Sequence, residues 1–217
     1  MRRAALLGAL ALLTACGGSD RATRDSGILN SVRDTISSAF GGNRGLCGDR
    51  RLIGEEIGTV PGALPGCGIE NAVRVTVVDG VRLSQPATLD CTTARAFADW
   101  VDRGAKRAVR RTGGGLETLH VAASYSCRTR NSQPGAPISE HGRGKAIDIS
   151  GMTLGRGKRI SVEDDWGRFG RDARILRKMH RSACGTFGTV LGPESDRFHR
   201  DHFHFDTARY GNGAYCR

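Results

Sequence analysis

The chain has 217 residues, of which 38% are hydrophobic and 25% charged, enough for one ordinary domain with a targeting segment and a tether but not for a second full domain. Its 33 basic residues against 22 acidic ones leave a formal charge of +11. That excess suits envelope polymers or anionic lipid head groups, and the export signal at its start argues against nucleic acid as the partner.

Residues 1–16 read MRRAALLGALALLTAC: two arginines, an apolar run from Ala4 to Leu13, then Thr14, Ala15 and Cys16. This is the pattern of a secretory signal, and the run is too short to cross a bilayer as a helix. Leu13-Thr14-Ala15-Cys16 resembles the bacterial lipobox, which implies a signal peptide over 1–15 and a lipidated Cys16 as the mature N-terminus. Residues 16–45 then form a lipidated start and flexible tether rich in Gly, Ser, Arg and Asp, with a short helix around Ile28 to Phe40. The folded domain is expected over 46–217, facing a periplasmic compartment from a membrane that is expected to be the outer one.

Six cysteines remain: Cys47, Cys67, Cys91, Cys127, Cys184 and Cys216. An even number in an exported chain reads as three disulfides, and no C-x-x-C spacing favours a zinc-thiolate site. Six cysteines allow fifteen pairings. The simplest expectation joins neighbours: Cys47 to Cys67, Cys91 to Cys127, and Cys184 to Cys216.

From Leu46 onward the composition is that of a domain. Leu52 to Gly68 carries Gly and Pro every few residues and is expected to be irregular. Val73 to Val78 reads as a strand turning at Asp79-Gly80 into Val81-Arg82-Leu83. Leu89 to Arg111 has apolar residues at helical spacing, predicting one long amphipathic helix that ends before Gly113-Gly114-Gly115. Strands follow at Leu119 to Ser126 and Ala146 to Ile149, then a helix over Trp166 to Ser182 and strands at Gly188 to Leu191 and Phe203 to Phe205. With no repeat and no regular βαβ alternation, the fold class is α+β: a small, mainly antiparallel sheet with helices packed on one face. Trp100 and Trp166 are expected in the core.

Four of the six histidines lie in two motifs, Ser139-Glu140-His141-Gly142-Arg143-Gly144-Lys145-Ala146-Ile147-Asp148 and His199-Arg200-Asp201-His202-Phe203-His204-Phe205-Asp206. Strand alternation puts His202, His204 and Asp206 on one face while Phe203 and Phe205 anchor the other. Asp148 sits in an apolar strand where a carboxylate without a partner is costly, and a cation would remove that cost. Gly142 and Gly144 let the chain turn after His141 so that the strand returns Asp148 to the same place. Two imidazoles and a carboxylate are a frequent ligand set for catalytic zinc. The expected metal ligands are therefore His141, Asp148 and His204.

The first motif resembles the S-x-H-x-x-G-x-A-x-D signature of D-alanyl-D-alanine carboxypeptidases and dipeptidases. The second is similar to the H-x-H of the wider zinc group that includes lysostaphin-type endopeptidases and the hedgehog domain. More closely, the chain from about Cys47 resembles the bacterial extensin-like C-terminal domain, through Tyr125-Ser126-Cys127-Arg128, Asn131, the two motifs, and Phe187 to Pro193. The resemblance implies a hedgehog-like peptidase fold, zinc as cofactor, and peptidoglycan as partner and substrate. It places His199 and His202 around the reacting water, Arg128 at the scissile carbonyl and Ser139 beside the substrate. One departure stands out: Asp201 occupies the place of a catalytic Glu in the dipeptidase branch, which leaves His202 as the expected general base. A zinc peptidase cutting stem peptides or cross-links is the first reading; a non-catalytic, metal-stabilised wall-binding or scaffold protein is the alternative.

Overall fold

The computed structural model describes residues 44–211 and 213–217. The signal peptide, Cys16, the tether and the helix expected around Ile28 to Phe40 lie outside the described residues. Among those described, no helix is long and apolar enough to cross a membrane.

A mostly antiparallel sheet of nine strands carries the fold: β1 Leu52–Pro61, β2 Gly68–Val78, β3 Val81–Asp90, β4 Leu116–Ala123, β5 Ala146–Leu154, β6 Arg159–Ser161, β7 Thr189–Leu191, β8 Phe203–Asp206 and β9 Tyr215–Cys216. Their order is β1-β2-β3-β4-β5-β8-β7-β9, with β6 alongside β5. Only β3–β4 and β7–β9 are parallel. The sheet is thus larger than the small one expected. The difference comes partly from β1, because the first part of the Gly- and Pro-bearing stretch expected to be irregular, Leu52–Pro61, is an edge strand, while 62–67 is irregular as expected. An edge strand tolerates such residues by bulging, and the pairing of β1 with β2 shifts register beside Gly54 and Gly58.

The β2–β3 hairpin forms as the sequence predicts, with Asp79 and Gly80 at φ 50° and 76°. Both signs are those a two-residue primed turn demands, which is why Asp-Gly is favoured there. The long helix expected over Leu89 to Arg111 forms as one continuous helical run from Cys91 to Val109, starting two residues later and widening to π geometry in its middle. Leu89 and Asp90 end β3, and Asp90 also caps α1 Cys91–Trp100 by accepting from the Thr93 N–H at 2.6 Å. A π-helical turn, Val101–Ala105, then leads into α2 Lys106–Val109. The helix expected over Trp166 to Ser182 starts later, as α4 Arg171–Ala183, and a separate short helix, α3 Val162–Asp165, precedes it. Gly170, at φ 122°, separates them.

The helices cover one face of the sheet. Trp100 meets Phe205 with ring centroids 4.9 Å apart, and Trp166 meets Phe203 at 5.5 Å. Both indoles are buried, and each N–H has an acceptor, the Met179 carbonyl and the Glu194 carboxylate. Gly104 lies where α4 crosses the π-helical turn: a Cβ there would sit 2.3 Å from the Ser182 hydroxyl.

Three disulfides form, Cys47–Cys91, Cys67–Cys127 and Cys184–Cys216. The last is the pair expected; the first two replace Cys47–Cys67 and Cys91–Cys127. Their cause is tertiary. The segment before β1 packs on α1, with Arg51 bound to Asp99 at 2.8 Å and Arg95 to the Cys47 carbonyl at 3.2 Å, so Cys47 faces the helix that Cys91 opens. Cys67, just ahead of β2, instead meets the loop after β4.

Candidate metal centre

On the sheet face opposite the helices, β5 and β8 pair so that Asp148 lies against His204 and Ala146 against Asp206. Opposed residues in an antiparallel pair share a face. The same pairing puts Ile147, Ile149, Phe203 and Phe205 in the core, all fully buried. The alternation of the second motif is therefore what divides core from site.

His141 arrives from a tight 3-10 turn, Glu140–Arg143. Ser139 caps it, its hydroxyl accepting from the His141 N–H at 3.4 Å. Gly144 ends it at φ 68°, where a Cβ would strike Ile69 at 2.3 Å, so this position tolerates only glycine. Gly142 is close-packed as well, with Cys67 Sγ 3.0 Å from where its Cβ would be. The Cys67–Cys127 disulfide thus backs the histidine turn directly.

The three expected ligands come together. His141 Nε2 is 3.1 Å from His204 Nδ1 and 3.1 Å from Asp148 Oδ2, and His204 Nδ1 is 2.9 Å from Asp148 Oδ1. The outer ring nitrogens define the tautomers. His141 Nδ1–H donates to the Ser124 carbonyl at 2.6 Å, which leaves Nε2 a bare lone pair in the neutral ring. His204 Nε2–H donates to Asp206 Oδ2 at 3.1 Å, which does the same for its Nδ1. Two lone pairs and a buried carboxylate thus converge with nothing but a cation able to satisfy all three. Ligand atoms about 2.0–2.1 Å from a tetrahedral zinc lie about 3.3 Å from one another, close to the spacing seen. The donor set fits zinc.

Without metal a proton takes that role. Burial favours the neutral ring of His204, but hydrogen bonds to Asp148 and Asp206 outweigh it and push its pKa up to about 9. Asp148 is buried too, yet the facing histidines hold its carboxyl well below the usual range.

The other expected residues surround this cluster in a cavity of about 610 Å³. His202 Nε2 is 3.6 Å from Asp148 Oδ2, and its Nδ1–H donates to Asp201 at 2.8 Å. His199 Nδ1–H donates to Asp196 at 2.7 Å, and its ring lies 5.3 Å from that of His202 and 5.6 Å from that of His204. Burial lowers the His199 pKa against the opposing pull of Asp196. Arg128 and Ser139 line the same cavity, on strands of loop joined by the Ser139 N–H to the Arg128 carbonyl at 2.9 Å. Every expected site residue of the domain therefore borders one cleft.

A model of the family described as Extensin-like protein C-terminus matches residues 53–217. The chain belongs to this family. No curated protein and no solved structure matches it. The extensin-like domain thus accounts for the whole described sheet from β1 onward, both histidine motifs included. Sequence reasoning missed three members of the site in this extensin-like chain: the Ser124 carbonyl, Asp196 and Asp206. A backbone carbonyl leaves no sequence signal. Asp206 had one, since alternation already put it on the face of His204, and Asp196 stands three residues before His199. Asp201 is exposed and accepts from His202 Nδ1 at 2.8 Å.

Proposed function

We propose that this protein is a zinc-dependent peptidoglycan peptidase, exported to the periplasm and held to a membrane by lipid on Cys16. The observation that carries the reading is the excess of acid–base groups around the metal cluster. A structural zinc site is closed by four protein ligands. Here three ligand atoms border an open cleft, with two further imidazoles, each oriented by its own carboxylate.

His141, Asp148 and His204 hold the metal in this reading. A bound zinc supplies Lewis acidity to an amide carbonyl and a nucleophile from water at neutral pH. The protein's own groups do the rest. With its Nδ1 proton fixed by Asp201, His202 offers Nε2 as the base that takes a proton from the attacking water and returns it to the leaving amine. His199 lies beside it, kept neutral by burial, as a second group for hydrogen bonding in the cleft. Arg128 provides fixed positive charge for the carbonyl oxygen as negative charge develops there. Ser139 has an acceptor role to the His141 N–H and retains its own O–H for the substrate. Peptide stems of peptidoglycan are the amide polymer that an envelope domain meets, and the zinc peptidases that the motifs resemble act on such bonds.

The test is incubation of purified protein with intact muropeptides, with and without chelator, and mass analysis of products. Chelator-sensitive cleavage is expected. His141→Ala, Asp148→Ala and His204→Ala should lose zinc and turnover together, whereas His202→Ala and Arg128→Ala should keep zinc and lose turnover, for His202 by about 10²- to 10⁴-fold. Stoichiometric zinc with every muropeptide left intact would replace the peptidase with a metal-stabilised wall-binding protein. For the anchor, Cys16→Ser should move the protein from membranes to the soluble fraction or block its processing.

A further inference from the structure

Three large aromatic side chains stand exposed at the mouth of the metal cleft: Phe198, Tyr210 and Tyr215. They are three of the four exposed aromatics among the described residues, the fourth being Phe169. Each carries an arginine over its ring. Arg197 lies 4.6 Å from the Phe198 centroid, Arg130 5.3 Å from that of Tyr210, and Arg217 5.6 Å from that of Tyr215. These are all the arginine–aromatic pairs found among the described residues, and all three rings line the one cleft that holds the candidate metal cluster.

The arrangement has a chemical meaning. A guanidinium stacked on a ring keeps the N–H groups of its edge for an external acceptor, and that planar fork matches a carboxylate. Stacking also restrains a long side chain in advance, so less freedom is lost when an anion binds. Arg130 is restrained further. It hydrogen-bonds the Tyr210 hydroxyl and lies 3.6 Å from the buried carboxylate of Glu140, the neighbour of His141. Its loop holds Asn131 and Ser132 at φ 53° and 54°, a conformation that non-glycine residues adopt only when their surroundings impose it.

We infer that the three arginine–aromatic pairs at the cleft mouth form a specificity rim that reads free carboxylates on a peptide whose amide lies at the metal. The inference rests on the peptidase reading for the position of the amide and gives that substrate a class: an acidic stem peptide, bound better than the same peptide with its carboxylates amidated. The rings supply apolar contact to the peptide and the guanidiniums decide its charge. An uncharged glycan would use the rings alone.

The experiment measures binding, so that it does not depend on turnover. Purified protein carrying His202→Gln to suppress cleavage is titrated by calorimetry with a muropeptide bearing free carboxylates and with its amidated counterpart. The free acid should bind about tenfold more tightly, three exposed ion pairs contributing about two- to fivefold each at most, and the preference should shrink as salt is raised. In the triple variant Arg130→Gln, Arg197→Gln, Arg217→Gln the preference should fall to near unity with zinc content unchanged. Arg197→Gln and Arg217→Gln alone, at exposed positions, should each lower it two- to fivefold and serve if the triple variant does not fold. Equal binding of the two peptides, binding of neither, or a preference that survives the triple substitution overturns the rim. Failure of the unsubstituted protein to cleave, with the preference intact, overturns the peptidase reading and leaves the rim standing.

Discussion

Asp206→Asn removes one charge and almost no volume, and the structure says why it should still weaken metal binding. The two carboxylate oxygens of Asp206 serve different donors: Oδ1 accepts from the Ala208 N–H at 3.0 Å, and Oδ2 accepts from His204 Nε2 at 3.1 Å. Asparagine has one oxygen. Whichever way its amide is turned, its NH₂ confronts an N–H donor, and the residue is buried. Either His204 loses the partner that keeps its Nδ1 lone pair aimed at the cluster, or the backbone after β8 is strained. Loss of such a carboxylate behind a ligating histidine costs about 10- to 100-fold in metal affinity, equivalent to about 1.4–2.7 kcal/mol. Competition with a chromophoric chelator reads this directly, and circular dichroism checks that the fold persists. Asp201→Asn supplies the contrast: its exposed carboxylate orients His202 only, so zinc affinity should be unchanged while turnover falls. Zinc affinity of Asp206→Asn within twofold of the unsubstituted protein would refute the assignment of Asp206 as the group that orients His204.

Metal-free protein should show a characteristic pH profile in thermal melts. His204, raised to about 9, contributes stability that is complete below about 6.5, its unfolded value, and lost as pH rises through 9. Asp148, held low, contributes above about 4 and loses that contribution as pH falls; zinc should abolish the alkaline loss, and a flat metal-free profile from pH 6 to 10 would contradict the cluster's electrostatics. Gly104→Ala should destabilise the protein by about 1–3 kcal/mol despite alanine's better helix propensity, because its Cβ meets the Ser182 hydroxyl, as denaturant unfolding can measure. Non-reducing peptide mapping should recover Cys47–Cys91 and Cys67–Cys127, and replacing the second pair by alanines should cost about 4 kcal/mol in the chain-entropy picture for its 60-residue separation and loosen the turn that carries His141.

Local chemistry was readable wherever a residue's role depended on its neighbours in the chain. Asp79-Gly80 announced its hairpin because only such residues accept positive φ at both turn positions. Phe203 and Phe205 against His204 and Asp206 announced a strand with a core face and a polar face. Gly144 announced a sharp turn between His141 and Asp148, and φ 68° shows the turn. Even the grouping of Asp148 with His141 and His204 was legible, since a carboxylate in Ala-Ile-Asp-Ile is costly without a partner.

What the sequence could not decide depended on partners far along the chain. β1 was hidden because an edge strand bulges around glycines that would break a central one. The long helix widens to a π-helical turn around Gly104, where it packs closely against Ser182 of α4. Cys47 found Cys91, not its neighbour Cys67, because α1 lies against the segment before β1. Composition, motifs and alternation indicated the fold class, the metal ligands proposed here and the two faces of β8, all of which follow from short-range geometry. Tertiary structure alone decided the disulfide partners of Cys47 and Cys67, the Ser124 carbonyl behind His141, and the pairing of Arg130 with Tyr210. Each of these joins groups that chain order leaves apart, and only the closing of the sheet brings them within reach.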